Sequence, residues 1–330
     1  LTVAYQHFVQ DDVTRSDRLP DRLTIFDPQQ RSLAYVRYQG IDLSGWFDRI
    51  MFTASYQRQK EGVFDQRLNS NNIDRSEVDN HSFGANVLMS SDLGAAGRVT
   101  YGVDMNYDTV ESFKDRYDAT TGFFDSARIP TYPSDGVFVQ TGAYGQWTVD
   151  LTPRLSAQAG TRYTYVYAAG TPIVGVDDDG DPGTAPVPTP LRVSPTFNNW
   201  SSSGAVNYEL SPGLRAVASV AQGFRAPNLD DLAANNDNVQ QDAADTPSVD
   251  LLPEDSISYD VGLKAERCGF RGQAFYFWTD IDNMILRAPT DGSSPTTLFS
   301  RSNRDARVNG LEMSGSMDAS ANWELYGNIS

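Results

Sequence analysis

Apolar side chains recur at every second position along this chain, over runs far longer than an ordinary sheet strand. In SISYDVGLKAE, Ile257, Tyr259, Val261, Leu263 and Ala265 alternate with Ser256, Ser258, Asp260, Lys264 and Glu266. Successive strand residues point to opposite faces, so the pattern builds one dry face and one wet one. The same alternation runs from Val99 to Tyr107, from Leu155 to Tyr167 and from Leu311 to Met317. Helical spacing of apolar residues is not sustained anywhere. Several runs reach 10 to 15 residues, against roughly five or six in a typical globular strand.

The connections fall into two classes that take turns. Short ones lie at 40–48, 91–97, 151–154, 210–213, 267–269 and 319–322; long polar ones lie near 10–30, 59–80, 108–135, 168–196, 225–254 and 281–305. Strict alternation places every short turn at one end of an up-and-down sheet and every long loop at the other. Aromatics gather near strand ends, as Tyr163, Tyr165, Tyr167, Trp200, Tyr276 and Trp278 do, where the two membrane interfaces would hold them. The expectation is an all-β fold, a transmembrane antiparallel up-and-down β-barrel with short periplasmic turns and long extracellular loops. A soluble sandwich accounts for the alternation but not for the strand length or the sorting of loops.

About thirteen strands are expected. Bacterial barrels usually close with an even number, and the chain opens on LTVAYQHFV and stops on NWELYGNIS with no lead-in or closing signal. Residues 1–330 therefore read as part of one barrel domain of a longer protein, without its C-terminal closing strands.

Charge narrows the partners. The chain has 26 Lys+Arg against 43 Asp+Glu, a net charge of -17, which argues against nucleic acid. The lone Cys268 has no partner for an internal disulfide, and His7 and His81 have no metal-ligating neighbours at ligand spacing. No paired carboxylates in a cleft, no nucleophile with a base and no phosphate-cradling glycine loop is recognisable, so no enzyme and no resident cofactor are expected.

One segment breaks the alternation. GFRAPNLDDL ends a strand at Phe224 and Arg225; Pro227 removes a backbone donor and pushes Ala226 into extended conformation, so pairing stops there. The fork of Arg225 is placed to bind carboxylates among the aspartates from Asp230 to Asp250. This reading makes Phe224, Arg225, Ala226, Pro227, Asn228 and Leu229 a clamp at the barrel rim.

Further motifs follow in order: Leu252, Pro253 and Glu254, with Ser256, opening the next strand; Ile281 and Ile285 in the one after; then Asn303, Arg307, Gly310 and Glu312. Together the four elements, over roughly residues 223–318, resemble the C-terminal half of the barrel of TonB-dependent outer-membrane receptors. The resemblance implies a plugged barrel of roughly 22 strands that imports a scarce ligand across the outer membrane, among lipid and lipopolysaccharide. It also implies a plug that contacts TonB, which the sequence in hand does not contain. A ferric siderophore is the expected cargo. Haem receptors of the family carry a histidine between the first two motifs, and Arg225 to Glu254 has none.

Among loop residues, Arg116, Tyr117, Phe123 and Phe124 are candidates to hold a ferric chelate, and Asp177, Asp179 and Asp181 around Gly180 resemble the start of a calcium loop without its closing carboxylate. Competing functions are a passive or sugar-specific porin and a surface adhesion barrel.

Overall fold

In the computed structural model, thirteen long strands form one antiparallel meander. They are β1 (Thr2–Gln10), β2 (Arg22–Gly40), β3 (Arg49–Arg67), β4 (Asn72–Asp92), β5 (Arg98–Asp118), β6 (Gly136–Thr152) and β7 (Leu155–Ala169). There follow β8 (Thr196–Ser211), β9 (Leu214–Arg225), β10 (Glu254–Arg267), β11 (Phe270–Pro289), β12 (Thr297–Ser320) and β13 (Trp323–Ile329). Each pairs with its predecessor in sequence. Shorter ladders such as Phe124–Arg128 and Ala243–Asp245 decorate the loop end. The structure describes all residues except 44, 68–69, 175–188, 236, 239–242, 268, 290–296 and 321. The acidic run with Asp177, Asp179 and Asp181, and Cys268, lie outside the described residues.

Among the described residues no helix is long and apolar enough to cross a membrane; the strands carry the apolar face instead. Cross-strand register puts Val87, Val103, Ala143 and Tyr163 in one row on one face, and Val206, Ala218, Val261, Tyr276 and Leu311 in another. Val103, Val261, Leu311 and Met313 are 45 to 58% exposed. These large apolar groups face outward, as lipid-facing residues of a barrel wall must. Rings close the belt at the loop end: Tyr56, Phe83 and Tyr107 follow one another at centroid distances of 4.8 and 6.5 Å, and Tyr163 meets Trp200 at 5.2 Å.

The other face is polar and internally bonded. Arg162 on β7 grips Asp104 on β5 with two bonds of 2.7 and 2.8 Å, Ser219 donates to Asp260, and the Ser258 and Thr279 hydroxyls lie 2.9 Å apart. Gly142 lies against the Arg162 guanidinium, so a side chain there would have to push that group off Asp104 or aside.

Three of the long connections prove shorter than the sequence suggests. Strand β3 runs on to Arg67 and β4 resumes at Asn72, so most of 59–80 is ladder; β5 reaches Asp118, and β11 and β12 occupy much of 281–305. Beyond Tyr56 and Phe83 the outward face turns mixed, with Arg58, Lys60, Asp79 and His81 taking outward positions between the belt and Phe64. A strand wet on both sides loses the alternation that would reveal it.

Candidate functional site

Among the described residues, the connection that follows Arg225 packs against the inner face of the barrel. It turns inward at Pro227, which is fully buried, and forms a single helical turn, α1 (Leu229–Ala233). Asn228 and Asp231 cap that turn reciprocally: the Asn228 side-chain amide oxygen accepts from the Asp231 N–H at 2.9 Å, and the Asp231 carboxylate accepts from the Asn228 N–H at 3.0 Å. Leu232, Ala233 and Leu251 then form an apolar cluster with Ala168 on the inner face of β7, and Phe138 and Ile285 pack against it. Inward-facing Ala168 and Val166, 0 and 2% exposed, thus interrupt the polar lining where the loop docks.

Arg225 donates to Asp231 at 2.7 Å and to Glu254 at 2.8 Å, and the other end of the network is Asn303. The Glu254 carboxylate also accepts from the Ile285 N–H at 2.7 Å, across the irregularity in register between Ile281 and Met284. The Asn303 amide oxygen accepts from the Leu252 N–H, and its amide nitrogen donates to the Leu252 and Asn283 carbonyls, at 2.7 to 2.9 Å. The motif residues Arg225, Asn228, Leu229, Glu254 and Asn303, far apart in sequence, therefore meet in one clasp. Arg225, Asn228, Glu254 and Asn303 satisfy backbone groups or charges that the inward turn would otherwise bury unpaired, and Leu229 is buried with them. Gly310 and Glu312 stand apart from it, lower on the inner face of β12. The Phe277 ring lies over Gly310, where a Cβ would come within 2.9 Å of it.

Sequence reading missed the second half of the clasp. Asp245, its side chain 4% exposed, is held by Arg287 at 2.6 Å and by Arg301 at 3.5 Å; Arg301 also reaches Asp230, which accepts from the Tyr132 hydroxyl. Burial, reinforced by the neighbouring Asp230 charge, pushes the Tyr132 phenol up to about 12. The Ser248 hydroxyl oxygen accepts from the Arg301 N–H, while the Ser248 N–H donates to Leu232. Asp135 ties the neighbouring connections together, accepting from the Thr171 N–H and hydroxyl and pairing with Arg192. Burial opposes ionisation of Asp135, but those Thr171 bonds and the Arg192 charge prevail and hold its carboxyl below the usual range. No local signal marks these residues, which stand as single polar or charged groups in segments without apolar alternation.

The four chelate candidates divide between opposite faces. Arg116 points into the lumen and pairs with Asp74 at 2.7 and 2.9 Å. Tyr117 points outward, edge-on to Phe124 at 5.9 Å and beneath the Arg75 guanidinium at 5.4 Å; Phe123 and Phe124 are 76 and 58% exposed. A ligand in the lumen touching Arg116 would leave Tyr117 and Phe124 on the other side of the wall. Among the described residues no group of three or more metal-ligating side chains gathers.

A lipid-facing belt, a bonded polar lumen and a loop clasped inside the mouth define a transmembrane β-barrel whose opening is guarded from within. The chain belongs to the TonB-dependent receptor family: the family model described as TonB dependent receptor-like, beta-barrel, matches residues 2–330. The vitamin B12 transporter BtuB of Photobacterium profundum is 27% identical over 136 residues, 41% of this chain and 20% of that protein. The structure of the copper transporter OprC superposes with a TM-score of 0.75 at 18% identity, over 92% of this chain and 46% of that one. The Serratia marcescens hemophore receptor HasR, solved with its hemophore HasA and heme, gives 0.71 at 17% identity over 96% and 49%. The ferric yersiniabactin uptake receptor FyuA from Yersinia pestis gives 0.56 at 15% over 94% and 43%. The chain spans about half the length of these solved proteins, and at such identities the likeness establishes the fold.

Proposed function

We propose that the full-length protein is an outer-membrane importer that takes up a ferric siderophore or similar iron chelate with energy delivered through TonB. The observation that carries this reading is the clasped loop. A connection folded into the mouth and held there by Arg225, Asp245 and Asn303 narrows the opening, as suits a receptor that admits one scarce ligand. The described part of Arg225 to Glu254 offers carboxylates and amides but no imidazole, which favours an oxygen-liganded chelate over a haem held by histidine. FyuA, a ferric siderophore receptor of the same fold, supports iron, and BtuB and OprC keep cobalamin and copper within the test.

The test is equilibrium binding of ferric siderophores, haem, cobalamin, copper and oligosaccharides to the full-length protein in membranes, read by tryptophan quenching, followed by uptake in cells with and without TonB. Saturable binding of one iron chelate with TonB-dependent uptake is the expected outcome. Conductance in planar bilayers with silence across the panel would replace the importer by a passive channel.

A further inference from the structure

The outward face of β3, β4 and β5 carries apolar side chains twice. The first set is the belt that ends at Tyr56, Phe83 and Tyr107. Above it the register places Arg58, Lys60, Asp79 and His81 outward, with Glu111 on β5. Two ion pairs brace this band within the wall, Arg58 with Asp79 and Lys60 with Glu77. Higher still, the same parity brings out Phe64 on β3, Ile73 on β4, and Phe113 and Tyr117 on β5. Phe124 of the short Phe124–Arg128 ladder lies opposite Tyr117, and Ile25 of β2 lies opposite Phe64.

This second tier stands in water. Phe64 is eight residues along β3 from Tyr56, roughly 26 Å of strand, beyond a band of charges that acyl chains do not cross. Phe113, Phe123 and Phe124 are nonetheless 46, 76 and 58% exposed. The outward Arg75 guanidinium lies 5.8 Å from the Phe64 ring centroid and 5.4 Å from that of Tyr117, and Phe124 meets Tyr117 edge-on at 5.9 Å. These contacts hold the rings in place, so the exposed phenylalanine faces form a preset platform. Asp115, directly opposite Arg75, and Glu111 flank Phe113 along β5. An aromatic surface of this extent outside the lipid marks a contact site.

Composition and place together choose the occupant. The face of an aromatic ring is negative and the C–H bonds of a sugar ring are polarised positive, so a pyranose packs flat on such a face. Its hydroxyls then meet the carboxylates and the guanidinium beside the rings. The tier also continues the lipid-facing wall upward along the same strands. A lipid whose chains lie on the belt and whose headgroup is an oligosaccharide reaches it without leaving the wall.

We propose that this tier binds the oligosaccharide of an outer-leaflet glycolipid whose chains lie on the belt below. Rings and hydroxyl hydrogen bonds make the contact, and phosphate on cations does not, because Arg58 and Lys60 are already paired. The inference rests on the setting of the barrel in the membrane, independently of the importer reading.

The test titrates the full-length protein in detergent with two probes: a glycolipid carrying its oligosaccharide, and the same lipid trimmed of all sugars beyond its acylated base. The complete lipid should bind at least about tenfold tighter. Phe123→Ser combined with Phe124→Ser, at exposed positions in and beside a turn, should bring the complete lipid down to the affinity of the trimmed one and leave the trimmed one unchanged. Phe113→Ser, on a different strand, should remove part of the same preference. Equal affinity for the two lipids, or an unchanged preference in the double variant, overturns the proposal. Loss of the preference on removing the phosphates alone does so as well, by moving the contact to Arg58 and Lys60. Equally tight binding of the free oligosaccharide would make a soluble glycan the occupant and overturn the glycolipid. If the double variant turns a dimer into a monomer while the two lipids bind alike, the face belongs to a second copy of the chain. Cargo uptake is read separately, so the two readings fail independently.

Discussion

Asn303 makes three hydrogen bonds with one amide, accepting from one strand opening and donating to two carbonyls. Asn303→Asp keeps the shape and the acceptor but turns two donors into a charge facing carbonyls. It should cost on the order of 2 kcal/mol and show as faster amide exchange at Leu252 and Ile285, with the barrel intact. Gly310→Ala drives a methyl into the Phe277 ring, an overpacking that should cost roughly 1–3 kcal/mol. Phe277→Leu in the same chain should recover most of that loss in a denaturant titration, and a cost unchanged by the second substitution would exclude the ring as its cause. Tyr132 carries a pH signature. Its folded value near 12 lies above the roughly 10 of an exposed phenol, so the folded state holds its proton more tightly. The resulting stability is present below about pH 10 and is lost as pH rises toward 12. Absorbance titration of the phenolate against Tyr132→Phe should resolve that late-ionising group.

At the scale of elements, legibility followed the number of wet faces. Strands β10 and β7 were plain in sequence because lipid on one side and a polar lumen on the other enforce the period of two. The upper reaches of β3, β4 and β5 were not, because Arg58, Asp79 and His81 are as polar as the lumenal side. The first half of the clasp was legible, since Pro227 must end a ladder and Arg225 must find carboxylates; its choice of Asp231 and Glu254 depends on an inward turn that no local pattern announces. The same holds for Asp245 and Arg301. Asp135 joins two connections, and its lowered pKa sets the sign of the effect. Its contribution is present above the ordinary carboxylate range and is lost as pH falls through the folded value. Amide exchange at Thr171 should therefore accelerate in acid, and Asp135→Asn should show the fast rate already at neutral pH.

For the whole molecule, the two faces of the wall answer to different solvents. Val103→Arg places a charge in the lipid-facing belt and should cost about 2–4 kcal/mol if that position lies at mid-depth. Asn106→Arg, on the lumenal face of the same strand, should cost far less. Comparable losses in lipid-vesicle unfolding would contradict the assignment of faces. The belt itself ends at Tyr56, Phe83 and Tyr107, yet β3 and β5 each continue eleven residues further, to Arg67 and Asp118. At about 3.3 Å per residue that is roughly 35 Å of additional strand, cross-braced by its neighbours. The rim on this side is a stiff parapet above the belt, and an antibody against residues 58–67 should label intact cells without permeabilisation.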